Sequence, residues 1–137
     1  MARDVRAAYD KAASGAGIKF VIPVGEAWTR AIQTGVADPN PYDGIEAGKI
    51  NLWTFDNYHA STHGYYLEAL VIFGSVTGRD PRSLGQNECS AYELGLSRTE
   101  AKALQQVAFD QLAPTRAITS APEMSSKGVN PERCVAP

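Results

Sequence analysis

The chain has 137 residues, of which 44% are apolar and 20% are charged, and its formal net charge is −2. This length and composition predict one globular domain with a real core and exclude a disordered chain. The small net charge and the lack of a long basic run argue against nucleic acid or an anionic membrane as the main partner. No apolar signal segment follows Met1, and the longest apolar run is too short to span a bilayer. The sequence therefore predicts a soluble, cytoplasmic protein, although a full-length homologue could be exported.

The first part of the chain is typical of helix, strand and helix in that order. Residues 2–14 carry apolar side chains at helical spacing and end in a glycine-containing turn. Residues 18–23 are short, β-branched and bounded by glycine and proline, which predicts a strand buried on both faces. Residues 24–33 predict a second helix. Because the backbone donors of a single strand need partners, the sheet would have to be completed by another segment or subunit.

The middle of the chain is a long loop followed by its most apolar helix. Residues 35–52 are dense in turn-forming residues, and loops of this length are often functional. Residues 62–77 predict the apolar helix, with Thr62 as a candidate N-cap and Gly78 at its end. A short helix is expected over residues 87–94.

The last predicted helix begins at a capping box formed by Ser97 and Glu100 and runs to about Leu112. Beyond it the chain is rich in proline and serine, which indicates an extended or flexible tail. We therefore expect one domain over residues 1–113 and a tail over residues 114–137. The predicted fold class is α/β and helix-rich, with one strand and four to five helices.

The two cysteines, Cys89 and Cys134, are too far apart for a CxxC redox or zinc motif. A disulfide between them would hold the tail against the domain. Two thiols are an equally good interpretation, because the sequence does not fix the redox compartment.

The strongest chemical signal is an Asp-x-x-His pair, Asp56 and His59, inside an aromatic stretch. Histidine is a general base near neutral pH, and a carboxylate on one ring nitrogen fixes its tautomer and stabilises the imidazolium. The alternative is an aspartate that caps its own loop beside an exposed histidine. The aromatic side chains nearby either line an acyl pocket or form ordinary core, and the candidates for substrate binding are Trp28, Trp53, Phe55 and Tyr58.

The stretch over residues 55–67 resembles the last conserved block of the SGNH (GDSL-type) hydrolases. In that family an Asp-x-x-His supplies two members of a Ser-His-Asp triad, just before the closing helix. Ser61 and Gly64 match the block, and Ala60 stands where the family usually has proline. Residues 23–28 are also similar to the preceding segment in a bacterial branch of the family.

This resemblance implies that Asp56 is the orienting carboxylate and His59 the general base of a carboxylic-ester hydrolase. The Gly-Asp-Ser nucleophile block and the blocks for the oxyanion hole do not occur in the sequence. The chain therefore resembles the C-terminal portion of such an enzyme, with a partial α/β/α fold and an unassigned nucleophile.

The predicted substrate is a small-molecule ester with a short acyl group, and the predicted assembly is a homo-oligomer without metal or cofactor. One alternative is an inactive, truncated homologue that serves as an oligomeric or interaction module. Another is a metal site formed by Asp56, His59 and His63, since two histidines four residues apart can bind the same metal ion.

Overall fold

The computed structural model of the protein describes residues 2–114, which contain five α-helices and one turn of 3-10 helix. The α-helices are α1 (Ala2–Gly15), α2 (Val24–Gln33), α3 (Thr62–Thr77), α4 (Cys89–Glu93) and α5 (Arg98–Leu112), and the 3-10 turn is Pro81–Leu84. None of these helices is long and apolar enough to cross a membrane. The predicted tail and Cys134, the potential partner of Cys89, lie outside the described residues.

Helix α3 is the centre of the core and packs against both α5 and α2. It is apolar on most of its circumference, as expected for a helix covered on more than one side. Leu67 and Leu70 of α3 and Leu104 of α5 are each at most 2% exposed. Burying a leucine side chain contributes about 1.5–3 kcal/mol, so the contact between these two helices adds several kcal/mol of hydrophobic stabilisation.

The helix ends confirm most of the sequence predictions. Ser97 accepts a hydrogen bond from the Glu100 amide at 3.2 Å, and Glu100 accepts one from the Ser97 amide at 2.7 Å, which completes the capping box. Gly78 ends α3 with a φ of 70°. The predicted cap Thr62 is wrong, because the preceding residue, Ser61, accepts the hydrogen bond from the α3 backbone.

The strand predicted over residues 18–23 is not formed, and this segment is irregular. The amides at its borders make short local bonds instead of a ladder, since Ile18 N donates to Ala13 O at 2.8 Å and Val24 N to Ile22 O at 2.9 Å. Ile18 and Phe20 are 59% and 51% exposed, so the segment is not buried on both faces. The helix-rich prediction is confirmed within residues 2–114, and the α/β class is not.

The long loop before α3 is held together by a buried carboxylate. Asp38 is 4% exposed and accepts hydrogen bonds from the amides of Asn40 and Glu46, both at 2.8 Å. A parallel bridge joins Ala37 to Ile50 and closes the loop. The closed loop thereby fixes the position at which the aromatic stretch begins.

Candidate active site

The aromatic stretch folds into a tight turn over residues 53–60, here called the dyad turn. An antiparallel bridge joins Trp53 to Ala60, and the Thr54 amide donates to His59 O at 2.9 Å. Asn57 occupies the tip with a φ of 54°, a left-handed conformation in which asparagine is enriched among non-glycine residues. The reversal of the chain brings the side chains of Asp56 and His59 together.

Asp56 and His59 are in direct hydrogen-bond contact, with Asp56 Oδ2 at 2.6 Å from His59 Nδ1. The other carboxylate oxygen, Oδ1, accepts bonds from the amides of Tyr58 and His59, each at 3.0 Å, and from the Thr54 hydroxyl. The bond from His59 is the largest cause that holds the pKa of Asp56 well below its usual range, followed by the Thr54 hydroxyl and the two amides. The carboxylate is therefore ionised and fixed in orientation at neutral pH.

The contact with Asp56 gives the two ring nitrogens of His59 different roles. When Nδ1–H donates to Asp56, Nε2 carries the lone pair and can accept a proton. The His59 side chain is 63% exposed, and the Tyr58 ring packs edge-on against its ring with centroids 4.9 Å apart. Asp56 also caps its own turn, because it accepts bonds from the amides of Tyr58 and His59. The alternative role predicted for it, a loop cap beside an exposed histidine, therefore accounts for these amide bonds.

A cleft of about 670 Å³ lies beside the dyad turn, between α1 and α2, and is here called the α1–α2 cleft. Three of the four predicted aromatic candidates line it, namely Trp28, Trp53 and Tyr58. The two indole rings pack edge-on, with centroids 4.7 Å apart and planes at 72°. The fourth candidate, Phe55, is 99% exposed at the turn and does not line the cleft.

The wall of the cleft contains one ion pair that bridges α1 and α2. Arg6 Nη1 donates to Glu26 Oε1 at 2.8 Å, and Arg6 Nε also bonds Asp10 one helical turn away. The sequence does not identify Arg6 as part of the site, because its partner Glu26 lies 20 positions along the chain. The Arg6–Asp10 spacing of four residues is the only local signal of this network.

Two serines that could act as a nucleophile, Ser61 beside the dyad turn and Ser83 in the 3-10 turn, are already engaged in structural bonds. Ser61 donates its hydroxyl to Asn51 O at 2.7 Å and accepts from Gly64 N at 3.2 Å. Ser83 donates to Asp80 O at 2.7 Å. No hydrogen bond connects Nε2 of His59 to a side chain within residues 2–114, so the described part of the chain does not assign a nucleophile.

Replacing Ser61 by alanine is expected to lower the free energy of unfolding by about 1 kcal/mol, because α3 loses its N-cap. The ester hydrolysis that the resemblance implies is expected to stay within twofold of the native rate at saturating substrate, since this hydroxyl already bonds the backbone. Urea denaturation and initial-rate kinetics check the two effects. Near-complete loss of turnover in a folded Ser61→Ala protein would identify Ser61 as the nucleophile and overturn this assignment.

The second histidine, His63, belongs to the packing of α3 against α5. Its Nε2 atom is buried and lies 3.2 Å from Glu100 Oε1, without the geometry of a hydrogen bond. Across residues 2–114 there is no group of three histidine, cysteine, aspartate or glutamate side chains that could hold a metal ion. The alternative of a metal site at Asp56, His59 and His63 thus gains no support from the side-chain positions.

No protein-family model, curated protein or solved structure matches this chain. The function is therefore inferred from the geometry of the dyad turn and of the cleft beside it.

Proposed function

We propose that the protein is a carboxylic-ester hydrolase in which His59 is the general base and Asp56 orients it. The observation that carries the proposal is the 2.6 Å contact between Asp56 Oδ2 and His59 Nδ1. An ionised Asp56 favours the proton on Nδ1, which leaves Nε2 as the proton acceptor. An exposed imidazole held in this way beside an apolar cleft suits the attack of an oxygen nucleophile on a neutral ester. The resemblance of residues 55–67 to the SGNH block supports the same two roles.

In the proposed reaction, Nε2 of His59 takes a proton from the attacking hydroxyl as its oxygen adds to the ester carbonyl. Asp56 stabilises the imidazolium that forms and keeps the ring in place. The tetrahedral intermediate then expels the alcohol, which recovers the proton from His59. General-base catalysis of this type contributes roughly 10²–10⁴ in rate.

The simplest nucleophile for this geometry is water. The resemblance adds a second candidate, a serine supplied by another segment or subunit. The same segment or subunit would also complete a sheet and an SGNH-like fold. The two nucleophiles differ in kinetics, because a serine forms an acyl-enzyme and gives a burst of alcohol release at high enzyme concentration. Direct attack by water gives linear release from the first turnover.

The test is release of p-nitrophenol from the acetate and butyrate esters by purified native protein and by His59→Ala. We expect the variant to be slower by about 100-fold or more, the low end of general-base effects. His63→Ala is the matched control, because its ring packs against α5 and not at the dyad turn. Equal rates for native protein and His59→Ala would remove the proposal.

A second candidate function is an interaction module without catalysis, and the apolar surface favours it. Ile18, Phe55 and Val76 are 59%, 99% and 70% exposed, which provides apolar contact area for another copy of the chain. This candidate predicts no esterase activity and a stability that rises with protein concentration. Light scattering that finds only a 14.7 kDa monomer at all concentrations would count against it.

A further inference from the structure

We propose that the α1–α2 cleft is an acyl-chain site, which binds an aliphatic chain of about the length of octanoyl with the ester group at His59. This inference rests on the proposed function and names its substrate class. It extends the predicted substrate from short acyl groups to medium-length ones. Four features of the cleft support it: its apolar walls, its length, its balance of charge and its position beside His59.

The walls of the cleft are apolar side chains of α1 and α2, which are joined at one point by the Arg6–Glu26 ion pair. On α1, Val5 and Tyr9 lie one turn apart and remain 48% and 61% exposed. On α2, Val24, Trp28 and Ile32 follow at intervals of four residues and line the opposite wall. Amphipathic helices usually pack such stripes against a core. Here Val5 and Tyr9 remain exposed, whereas the α2 residues are partly buried and pack in part against the core. An apolar chain in the cleft would remove the exposed part of both sets from water.

The size of the cleft fits a medium-length chain. The α2 stripe extends from Val24 to Ile32, about 12 Å at the helical rise of 1.5 Å per residue. The volume of about 670 Å³ lies within the usual range for small-molecule sites. An acetyl group would leave most of this apolar surface uncovered, whereas an extended octanoyl chain covers most of the length of the stripe.

The charge of the cleft favours a neutral chain. Among residues 2–114, Arg6 and Glu26 are the only charged side chains that line the cleft, and they bond each other at 2.8 Å. Their charges cancel, so no unpaired charge in the described lining would attract a charged acyl group. Burying a charged group in the apolar remainder of the cleft without a partner would be unfavourable.

The cleft is continuous with the dyad turn. Tyr58 and Ala60, the residues on either side of His59, both line it, and the Tyr58 ring packs against the imidazole. His59 is not itself among the described lining residues, but its two neighbours are, so an ester whose chain lies between the apolar side chains of α1 and α2 can present its carbonyl group toward the imidazole. Binding of the chain in the cleft would therefore hold the ester where His59 can take part in the proposed proton transfer.

Binding can be measured without turnover, because both tryptophans of the chain, Trp28 and Trp53, line the cleft. We expect titration with octanamide, a neutral and stable analogue of the ester, to give a saturable change in tryptophan fluorescence. Its Kd is expected to be at least about tenfold below that of acetamide, and binding is expected to persist in His59→Ala. No saturable change, or equal affinity for the two amides, would overturn the inference.

A variant that fills the cleft gives a second test. A Cβ atom added at Gly25, which lines the cleft on α2, would meet no atom within 4 Å. Leucine also has a high helix propensity, so Gly25→Leu should fold while its side chain occupies the chain site. We expect it to weaken octanamide binding about tenfold and to lower the octanoate-to-acetate ratio of kcat/KM by a similar factor. Gly15→Ala, at the end of α1 and outside the lining, is the control, and we expect it to keep the native octanamide affinity and the native ratio of kcat/KM.

The two tests separate this inference from the proposed function. Tight octanamide binding without any ester hydrolysis would support the chain site and reject the enzyme. Hydrolysis that depends on His59 but shows no preference for octanoate over acetate would support the enzyme and overturn the chain site. Loss of fluorescence response through concentration-dependent dimerisation would show that a second copy of the chain occupies the cleft, which also overturns it.

Discussion

Replacing Asp56 by asparagine is expected to lower kcat for p-nitrophenyl butyrate by about 100-fold or more, comparable to removing a general base. The asparagine can keep its oxygen toward the amides of Tyr58 and His59. Its NH₂ group then points at His59 Nδ1, which must become an acceptor. The ring proton moves to Nε2, the atom that has to receive the proton from the nucleophile. Initial rates over a range of substrate concentrations measure the effect on kcat and KM separately.

Asp43→Asn provides the control for this substitution, because Asp43 is an exposed loop aspartate outside the dyad turn. It makes the same change of charge and shape, and we expect native kinetics from it. The tautomer can be observed directly from the ¹⁵N shifts of the His59 ring, which should report Nδ1–H in the native protein and Nε2–H in Asp56→Asn. Native turnover in Asp56→Asn would show that this carboxylate is only a cap for its turn.

The Gly64→Ala variant is expected to be less stable than the native protein by about 2 kcal/mol. A Cβ atom at this position would lie 2.4 Å from Leu52 O and 2.7 Å from Trp28 Cζ2. Leu52 O cannot easily move, because it accepts the Ser61 amide at 2.8 Å at the start of α3. Overpacking of this kind costs about 1–3 kcal/mol, and the better helix propensity of alanine offsets up to about 1 kcal/mol. Urea denaturation measures the change in the free energy of unfolding.

Gly15→Ala is the matched control, because a Cβ atom there would meet nothing within 4 Å. We expect its stability to lie within about 0.5 kcal/mol of the native value. Gly64→Ala should also displace Trp28 and so alter the fluorescence of the Trp28–Trp53 pair. A stable Gly64→Ala protein with unchanged fluorescence would contradict the packing described for the first turn of α3.

The sequence predicts well those features that depend on contacts between residues close together in the chain. The bonds of the capping box connect Ser97 and Glu100, three residues apart, and the side-chain bond of the dyad connects Asp56 and His59 over the same interval. Such contacts depend on local backbone geometry, and the residue types at fixed spacing are enough to indicate them. The predicted cap of α3 differs from the observed one by one residue, because Ser61 and Thr62 carry equivalent hydroxyls.

The features that the sequence misses depend on contacts between distant parts of the chain. Residues 18–23 have the composition of a strand, but strand propensity is expressed only where a partner strand exists. Asp38 is a turn-forming residue in the sequence, and only the fold shows that it is buried and holds the loop. The pairing of Arg6 with Glu26, and with it the charge balance of the cleft, follows from the packing of α1 on α2. The sequence therefore indicates Trp28, Trp53 and Tyr58 of the α1–α2 cleft, but not its α1 wall or its ion pair.

The central claim is that His59 transfers the proton during ester hydrolysis, and imidazole rescue tests it most directly. Turnover of p-nitrophenyl butyrate by His59→Ala is measured at increasing imidazole concentration, with the rate of imidazole in buffer subtracted. We predict that the variant is nearly inactive alone and regains activity as imidazole enters the space vacated by the ring, whereas native protein and His63→Ala do not respond. A His59→Ala protein that matches the native rate without imidazole would contradict the assignment of His59 as the base.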